Sequence, residues 1–282
     1  MREVRKPAVA HLFYPGDKIH LKTMVNEFLA NVNEQLIQDL QFRIGLPFAI
    51  VSPHAGYVYS GQVAAYGYKL IEHTNWDVVV LLGPSHYVNF EGGALSPAVS
   101  FQTPLGEIDI EQNYNASLIE EDPHLFSYLS AAHEREHCLE TQLPFLKEVI
   151  EGEFHIVPIL FGSLSAQAIK DVARVLAHVH QKRSERILYV VSTDLSHYHS
   201  DKEAMEMDKR LIRHFVKMDS ASLMKDALAG LVEACGIFPL LVIMELARTL
   251  GKTQSKDLIY RHSGMVSGDN HQVVGYMSGV IW

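Results

Sequence analysis

The sequence predicts an α/β fold, a single-domain three-layer helix–sheet–helix sandwich with a mainly parallel central sheet. Short runs of almost purely apolar residues recur along the chain, and longer amphipathic segments separate them. Strands that are buried on both faces lack polar–apolar alternation, as in parallel sheets that helices cover. No Gly/Ser-rich or Pro-rich tract divides the 282 residues. We therefore expect one domain over residues 1–282.

Four apolar runs are the predicted strands of the central sheet. Each has four to six residues, and each is followed by Ser, Gly or Pro, which favour turns. This length is typical of strands and too short for helices. In chain order the runs cover residues 48–51, 78–82, 156–161 and 187–191.

The segments between the strands have the spacing of helices. Apolar residues recur there every three or four positions, and the last of these segments stops at Gly251, a residue that commonly ends helices. The predicted helices cover residues 19–40, 61–71, 165–181 and 236–250. The tail, residues 258–282, alternates more and contains four glycines. It is predicted to form a closing antiparallel hairpin.

Composition and charge exclude several classes of function. The net charge is −9 and no basic run stands out, which argues against nucleic-acid binding. No apolar run reaches the 18 residues of a membrane span, and the charged amino terminus does not resemble a secretory signal. Two cysteines are too few for a disulfide framework. We therefore expect a cytoplasmic protein.

Histidines follow three of the predicted strands. His54, His86 and His197 each come a few residues after a strand, and Asp194 precedes His197 in the third of these loops. Ligands of open α/β sheets bind at the carboxyl ends of the strands. If the strands are parallel, these side chains converge on one edge of the sheet. The alternative is that they are ordinary loop residues with satisfied hydrogen bonds.

Cys235 is a further candidate ligand, because it precedes the predicted helix over residues 236–250. The amino terminus of a helix lowers the pKa of a thiol and favours the thiolate, which binds metals. The alternative is a small buried apolar residue. Imidazoles combined with a thiolate suit zinc, copper or iron, whereas magnesium and calcium prefer oxygen ligands.

A competing motif lies between residues 133 and 137. The residues His133, Glu134 and His137 fit the H-E-x-x-H pattern of zinc peptidases, in which two histidines one helical turn apart bind zinc. The surrounding charges and the absence of a third ligand at a recognisable spacing weaken this interpretation.

A second pair in this region is His137 and Glu140, which would share a face if the segment were a helix. They would then line a pocket or belong to a solvated charged surface.

At these residues the chain resembles the MEMO family, the Memo-like proteins that include protein B of the AmmeMemoRadiSam set. The similar motifs follow the family's order and span nearly the whole chain. They cover residues 5–10 with 13–15, 53–57 with 60–61, 82–86, 103–106, 136–137 with 140 and 143–144, 192–194 with 197, and 235–236.

The resemblance implies the fold of the LigB-like class III extradiol dioxygenases, which are non-haem iron enzymes. It further implies a metal pocket of His54, His86 and Cys235, holding iron or copper, with zinc as a third option. His197 would act as an acid–base group beside Asp194. The other residues expected to line the pocket are Tyr57, Ser85, His137 and Glu140.

Two departures from these relatives stand out. The dioxygenases complete their metal site with a carboxylate, whereas this chain offers Cys235, and a thiolate changes the preference and potential of the metal. The family's opening usually has Gly where this chain has His11. The sequence leaves three functions open. The first is metal-dependent redox chemistry or O₂-dependent oxidation of a small molecule, and the second is non-catalytic binding of a ligand or peptide in the same pocket. The third, which the sequence supports least, is a zinc peptidase that uses His133, Glu134 and His137. The sequence predicts no oligomeric state.

Overall fold

The computed structural model describes residues 3–282, which form a mixed α/β structure. The strands are β1 (Val4–Arg5), β2 (Ala49–Ser52), β3 (Val78–Pro84), β4 (Gly93–Leu95), β5 (Ser100–Thr103), β6 (Gly106–Asp109), β7 (Phe126–Tyr128), β8 (His155–Phe161), β9 (Ile187–Ser192), β10 (His197–His199), β11 (Ser255–His262) and β12 (Val273–Ile281). The helices are α1 (Lys18–Ala30), α2 (Glu34–Ile44), α3 (Tyr57–Leu70), α4 (Gln112–Glu121), α5 (Ser130–Glu134), α6 (Leu143–Val149), α7 (Ala166–Gln181), α8 (Asp201–Val216), α9 (Ser220–Leu228), α10 (Ile237–Thr249) and α11 (Gly264–Ser267).

The four predicted strands form the centre of the large sheet. Its order is β10-β12-β2-β9-β3-β8-β4-β7, with β11 paired to β12. Strands β2, β9, β3 and β8 pair in parallel, so the mainly parallel sheet is confirmed. The tail forms the expected antiparallel pair, β11 with β12, and β12 also pairs antiparallel with β2. A small sheet of β1, β5 and β6 was not predicted.

Helices cover both faces of this sheet, which confirms the three-layer sandwich. Successive residues of a strand point to opposite faces. Ile50 and Val79 belong to one buried apolar cluster, which contains side chains of α1, α3 and α6. Their neighbours Val51 and Val80 belong to a second cluster, with α7, α8 and α10. This two-sided burial explains why the strand sequences lack alternation.

The long helix predicted over residues 19–40 is wrong in one respect, because it is two helices. The first, α1, ends at Ala30, and α2 begins at Glu34. Between them the side chain of Asn33 accepts a hydrogen bond from the backbone N–H of Leu36, at 3.1 Å. Asparagine favours such a cap over the interior of a helix, since its amide competes for backbone groups. Within the described residues, no helix is long and apolar enough for a membrane crossing.

His11 adopts a left-handed backbone conformation with φ of 70°. This region costs an L-residue roughly 1–2 kcal/mol, which glycine avoids. The His11 ring occupies the space beside Gly16, where an added Cβ atom would lie 2.0 Å from Nε2 of His11. The two positions are therefore sterically coupled.

We expect Gly16→Ala to destabilise the protein with His11 present and to be nearly neutral in a His11→Gly background. The coupling should be within about 0.5–3 kcal/mol, the range for residues in contact. His11→Gly alone should have a small effect, because the strain that it relieves offsets the unfolded-state entropy that glycine adds. Urea denaturation of the four proteins measures the cycle, and strictly additive effects would contradict the coupling.

Candidate metal centre

Two predicted ligands come together at the carboxyl ends of parallel strands. His54 follows β2 and His86 follows β3, and these strands flank β9 in the sheet. The centroids of the two imidazole rings lie 5.2 Å apart. The topology thus brings the residues of two separate loops to one edge of the sheet, as expected from parallel strands.

A third imidazole, that of His137, completes a compact group with these two. One ring nitrogen from each of His54, His86 and His137 lies within 4.8 Å of the others. The ring of His137 stacks on that of His86, with centroids 4.7 Å apart. Three imidazole nitrogens facing one space are a donor set that zinc, copper and iron accept.

Cys235 lies beside this group, in contact with one of its members. Its Sγ atom is 3.2 Å from Nε2 of His54 and accepts a hydrogen bond from the backbone N–H of Asp194, also at 3.2 Å. The prediction that the helix lowers the pKa of this thiol is wrong. Burial, followed by the Asp194 carboxylate, raises it. The helix α10 begins two residues later, at Ile237, and its dipole does not offset the loss of hydration.

Asp194 is a buried carboxylate at the same place. It accepts a hydrogen bond from the backbone N–H of His54 at 2.8 Å, and its other oxygen lies 3.9 Å from Nε2 of that ring. Burial raises the pKa of Asp194, while the hydrogen bond from His54 and the charge of His197 oppose the rise. His197 is half-buried at the start of β10 and pairs with Val274 of β12.

Burial keeps two of the three imidazoles neutral at physiological pH. It lowers the pKa of His54 to about 3 and that of His137 to about 4. A neutral imidazole is the form that binds metals. Within residues 3–282, Nδ1 of His137 is buried without a hydrogen-bond partner, although a carboxylate oxygen of Glu136 lies 3.4 Å from it. Such an atom is costly unless something else satisfies it, and a bound ion would do so.

Glu136 is the residue that the sequence analysis missed. Its carboxylate accepts hydrogen bonds from the backbone N–H of His86, at 2.7 Å, and from Nδ1 of the same ring, at 2.8 Å. It also accepts from the backbone N–H groups of His137 and Cys138. Burial raises the pKa of Glu136, but these hydrogen bonds outweigh it and lower the pKa to about 2. In the sequence, Glu136 is one charge among several, and only the folded chain shows that it holds two loops together.

Glu140 contacts the amino-terminal segment, although it was expected to share a helical face with His137. The chain between them is no regular helix, since a three-residue 3₁₀ turn begins only at Glu140. The Glu140 carboxylate is fully buried and pairs with Arg5. It also accepts hydrogen bonds from the backbone N–H groups of Ala8, at 2.7 Å, and Val9, at 3.0 Å. The structure therefore supports an anchoring role for this carboxylate.

The two remaining pocket candidates differ in their surroundings. Tyr57 is buried in the apolar cluster, where its hydroxyl donates to the carbonyl of Thr141 at 2.6 Å. Ser85 and Cys235 line a cavity of about 130 Å³ together with aromatic side chains, among them Phe238. Of these two candidates, Ser85 shares a cavity with a predicted metal ligand, whereas the contacts of Tyr57 are those of a core residue.

The H-E-x-x-H interpretation is wrong, because the required helix is absent at these residues. Helix α5 ends at Glu134, so His133 and His137 are not successive turns of one helix. His133 is buried, and its Nε2 atom lies 3.0 Å from the carbonyl oxygen of Ala94. A carbonyl oxygen can only accept a hydrogen bond, so Nε2 of His133 carries a hydrogen and donates it. This nitrogen therefore has no lone pair left for a zinc ion.

His133 provides a prediction about acid stability. Burial lowers its pKa from 6.5 to about 4. Between these values the unfolded chain binds a proton that the folded chain does not, so stability is lost as the pH falls below 6.5. One such group contributes a slope of up to about 1.4 kcal/mol per pH unit. We expect His133→Gln to reduce the pH dependence of the unfolding free energy in this window. Urea titrations at several pH values measure it, and equal slopes would contradict the assignment.

Comparison with known proteins places the chain in a family. The family model described as Memo-like protein matches residues 5–280. The chain belongs to the Memo family. Proteins named MEMO1 family protein share 34% identity with it in Nitrosopumilus maritimus, over 97% of this chain and 98% of that protein. In Methanobrevibacter smithii the identity is 34%, over 98% of this chain and 99% of that protein.

The same fold occurs in a solved structure that is far more distant from this Memo-family chain. It is described as the crystal structure of uncharacterized protein JW3007 from Escherichia coli K12. The TM-score is 0.54 at 11% sequence identity, and the match covers 82% of this chain and 98% of that one. At this level of identity the likeness concerns the fold alone.

Proposed function

We propose that this Memo-family protein binds one redox-active metal ion at His54, His86 and a third side chain, and that it uses the ion to oxidise a small molecule with O₂ as the electron acceptor. The observation that carries the proposal is the group of three imidazole nitrogens within 4.8 Å of one another. Two of these imidazoles are held neutral by burial. Neutral imidazoles in this number favour iron, copper or zinc over magnesium and calcium.

Two side chains compete for the third position. His137 belongs to the compact group, and its Nδ1 atom has no hydrogen-bond partner among the described residues. Cys235 lies 3.2 Å from Nε2 of His54, close to the separation of two ligands of one ion. The Cys235 thiol would lose its proton on binding an ion, and a thiolate combined with imidazoles suits iron, copper or zinc. When bound, the ion would supply Lewis acidity and a site for electron transfer.

Asp194 and His197 are proposed to handle protons beside the ion. Asp194 is held by the backbone N–H of His54, at 2.8 Å, so its carboxylate has a defined position. His197 is half-buried and can exchange protons with solvent. Its ring would accept or return a proton at the substrate, and the Asp194 carboxylate would stabilise the charged imidazole.

The neighbouring cavity favours a small substrate or a small part of a larger one, such as a peptide side chain. Its volume of about 130 Å³ corresponds to about four water molecules in the liquid.

The cysteines bear on the proposed location in the cytoplasm. Both are free thiols, which agrees with a reducing compartment.

Metal analysis and oxygen uptake test this proposal. Protein purified without oxygen and reconstituted with Fe²⁺ or Cu²⁺ should retain about one equivalent after desalting, because the two groups of potential ligands, His54/His86/His137 and His86/Glu136/Cys138, share His86. Oxygen consumption with a panel of catechols should exceed that of the metal-free protein. Failure to retain any of the ions would contradict the proposal. Retention without oxygen uptake across the panel would favour the alternative, a protein that binds its ligand without turnover.

A further inference from the structure

The hydrogen bonds behind His54 and His86 determine which nitrogen of each ring carries the proton. The argument for His54 begins at Gln142, whose Nε2 atom lies 3.0 Å from the carbonyl oxygen of Pro53. A carbonyl can only accept, so this contact fixes the orientation of the Gln142 amide. Its Oε1 atom then accepts from the hydroxyl of Tyr68, at 2.7 Å.

Ser192 transmits this orientation to His54. Gln142 donates to its hydroxyl oxygen at 2.9 Å, and the hydroxyl donates its own hydrogen to the carbonyl of Cys138 at 2.7 Å. The single hydroxyl hydrogen is thereby used. Nδ1 of His54 lies 2.9 Å from the same oxygen, so the ring must donate there. His54 therefore carries its proton on Nδ1 and presents a lone pair at Nε2.

Glu136 acts in the same way on His86, by different chemistry. Nδ1 of His86 lies 2.8 Å from one carboxylate oxygen, while the other oxygen accepts from the backbone N–H of His86. Backbone N–H groups of His137 and Cys138 also point at this carboxylate. With donors at both oxygens, the ring of His86 is a further donor through Nδ1. In the neutral ring, Nε2 is then the nitrogen with the lone pair.

We propose that Glu136 and the Gln142–Ser192 pair are positioning residues, which hold His86 and His54 in the Nδ1–H tautomer so that both rings offer Nε2 to an ion. This inference rests on the proposed function for the identity of the ligand. Groups behind the ligands commonly fix the tautomer and orientation of metal-binding histidines. Here the two ligands are held by different groups, a buried carboxylate for one and a hydroxyl–amide chain for the other.

Nitrogen NMR of the metal-free protein tests the tautomers directly. In protein labelled with ¹⁵N-histidine, long-range ¹H–¹⁵N spectra distinguish Nδ1–H from Nε2–H rings, and His54→Ala and His86→Ala variants assign the two signals. We expect both rings to be Nδ1–H. Ser192→Ala should change the tautomer signals of His54 and leave those of His86, whereas Glu136→Gln should do the reverse. Such selectivity would not follow from a general loss of structure.

Co²⁺ affinity, measured by calorimetry without oxygen, provides the second readout. Each variant should weaken binding by about 10–100-fold, the usual effect of losing a group behind a ligand. Ser278→Ala is the matched control, since Ser278 is a fully buried serine whose hydroxyl has no partner among residues 3–282. It should change neither readout.

The two readouts separate the two proposals. An Nε2–H ring at either histidine of the parent protein would overturn the positioning inference, as would unchanged tautomers in both variants. Parent protein that shows the assigned tautomers but binds no Co²⁺ would support the positioning inference and contradict the proposed function.

Discussion

A double variant, His54→Ala with His86→Ala, is expected to lose the bound metal almost completely. These rings belong to the group of three imidazoles, and each donates a hydrogen bond through Nδ1, which leaves Nε2 as the nitrogen that could bind an ion. The loss of affinity should exceed the roughly 10–100-fold that removal of a supporting residue causes. Metal content after reconstitution and desalting measures it.

The matched control replaces two exposed histidines, His20 and His124, by alanine. This control has the same loss of two imidazoles, so it separates the site from nonspecific binding by a histidine-rich chain. Metal retained equally in the two double variants would contradict the ligand assignment. Single variants at His137 and Cys235 then decide the third ligand, since only the true ligand should approach the effect of the double variant.

The fold was predictable because its central strands are buried on both faces. The run 78–82 coincides with the start of β3, and the run 48–51 overlaps β2 within one residue at each end. Helix boundaries were less predictable where a polar cap interrupts a continuous amphipathic pattern, as at Asn33. The small sheet of β1, β5 and β6 depends on pairing between distant segments of two to four residues, and such segments have no periodicity of their own.

The candidate site was most predictable where strands lead into it. His54 and His86 could be placed because each follows a strand of the parallel sheet. His137 reaches the same space from an irregular segment, so neither strand nor helix spacing indicates its position. The role of Glu136 depends on contacts with His86, 50 residues earlier in the chain. Sequence patterns describe local periodicity, whereas these contacts arise from packing between loops.

The second large effect is expected from Arg5→Ala, which removes a cation from a buried ion pair. The Arg5 guanidinium pairs with the fully buried carboxylate of Glu140 and donates through Nε to the carbonyl of His133, at 3.1 Å. Removal of one partner from a buried pair costs about 3–5 kcal/mol, because the remaining charge is left without a counter-charge. Urea denaturation measures this loss.

Lys6→Ala is the control for charge and position. Lys6 is the neighbouring basic residue, and its ammonium group makes an exposed hydrogen bond to Gln102 at 2.9 Å. Exposed contacts of this kind contribute about 0–1 kcal/mol. A loss of stability in Arg5→Ala no larger than that in Lys6→Ala would contradict the buried-pair interpretation.

A double-mutant cycle shows whether the cost arises from the unpaired carboxylate. In a Glu140→Gln background there is no buried negative charge that Arg5→Ala would leave unpaired, so the second substitution should cost less there than in the parent.

The anchored segment also contacts the candidate metal centre. The segment that Glu140 anchors carries Phe13, whose ring contacts that of His137 with centroids 4.9 Å apart. If Arg5 holds this segment in place, Arg5→Ala should weaken Co²⁺ binding as well as folding. In contrast, Lys6→Ala should leave Co²⁺ binding unchanged and should cost at most about 1 kcal/mol of stability, since the Lys6 side chain has no buried partner to lose.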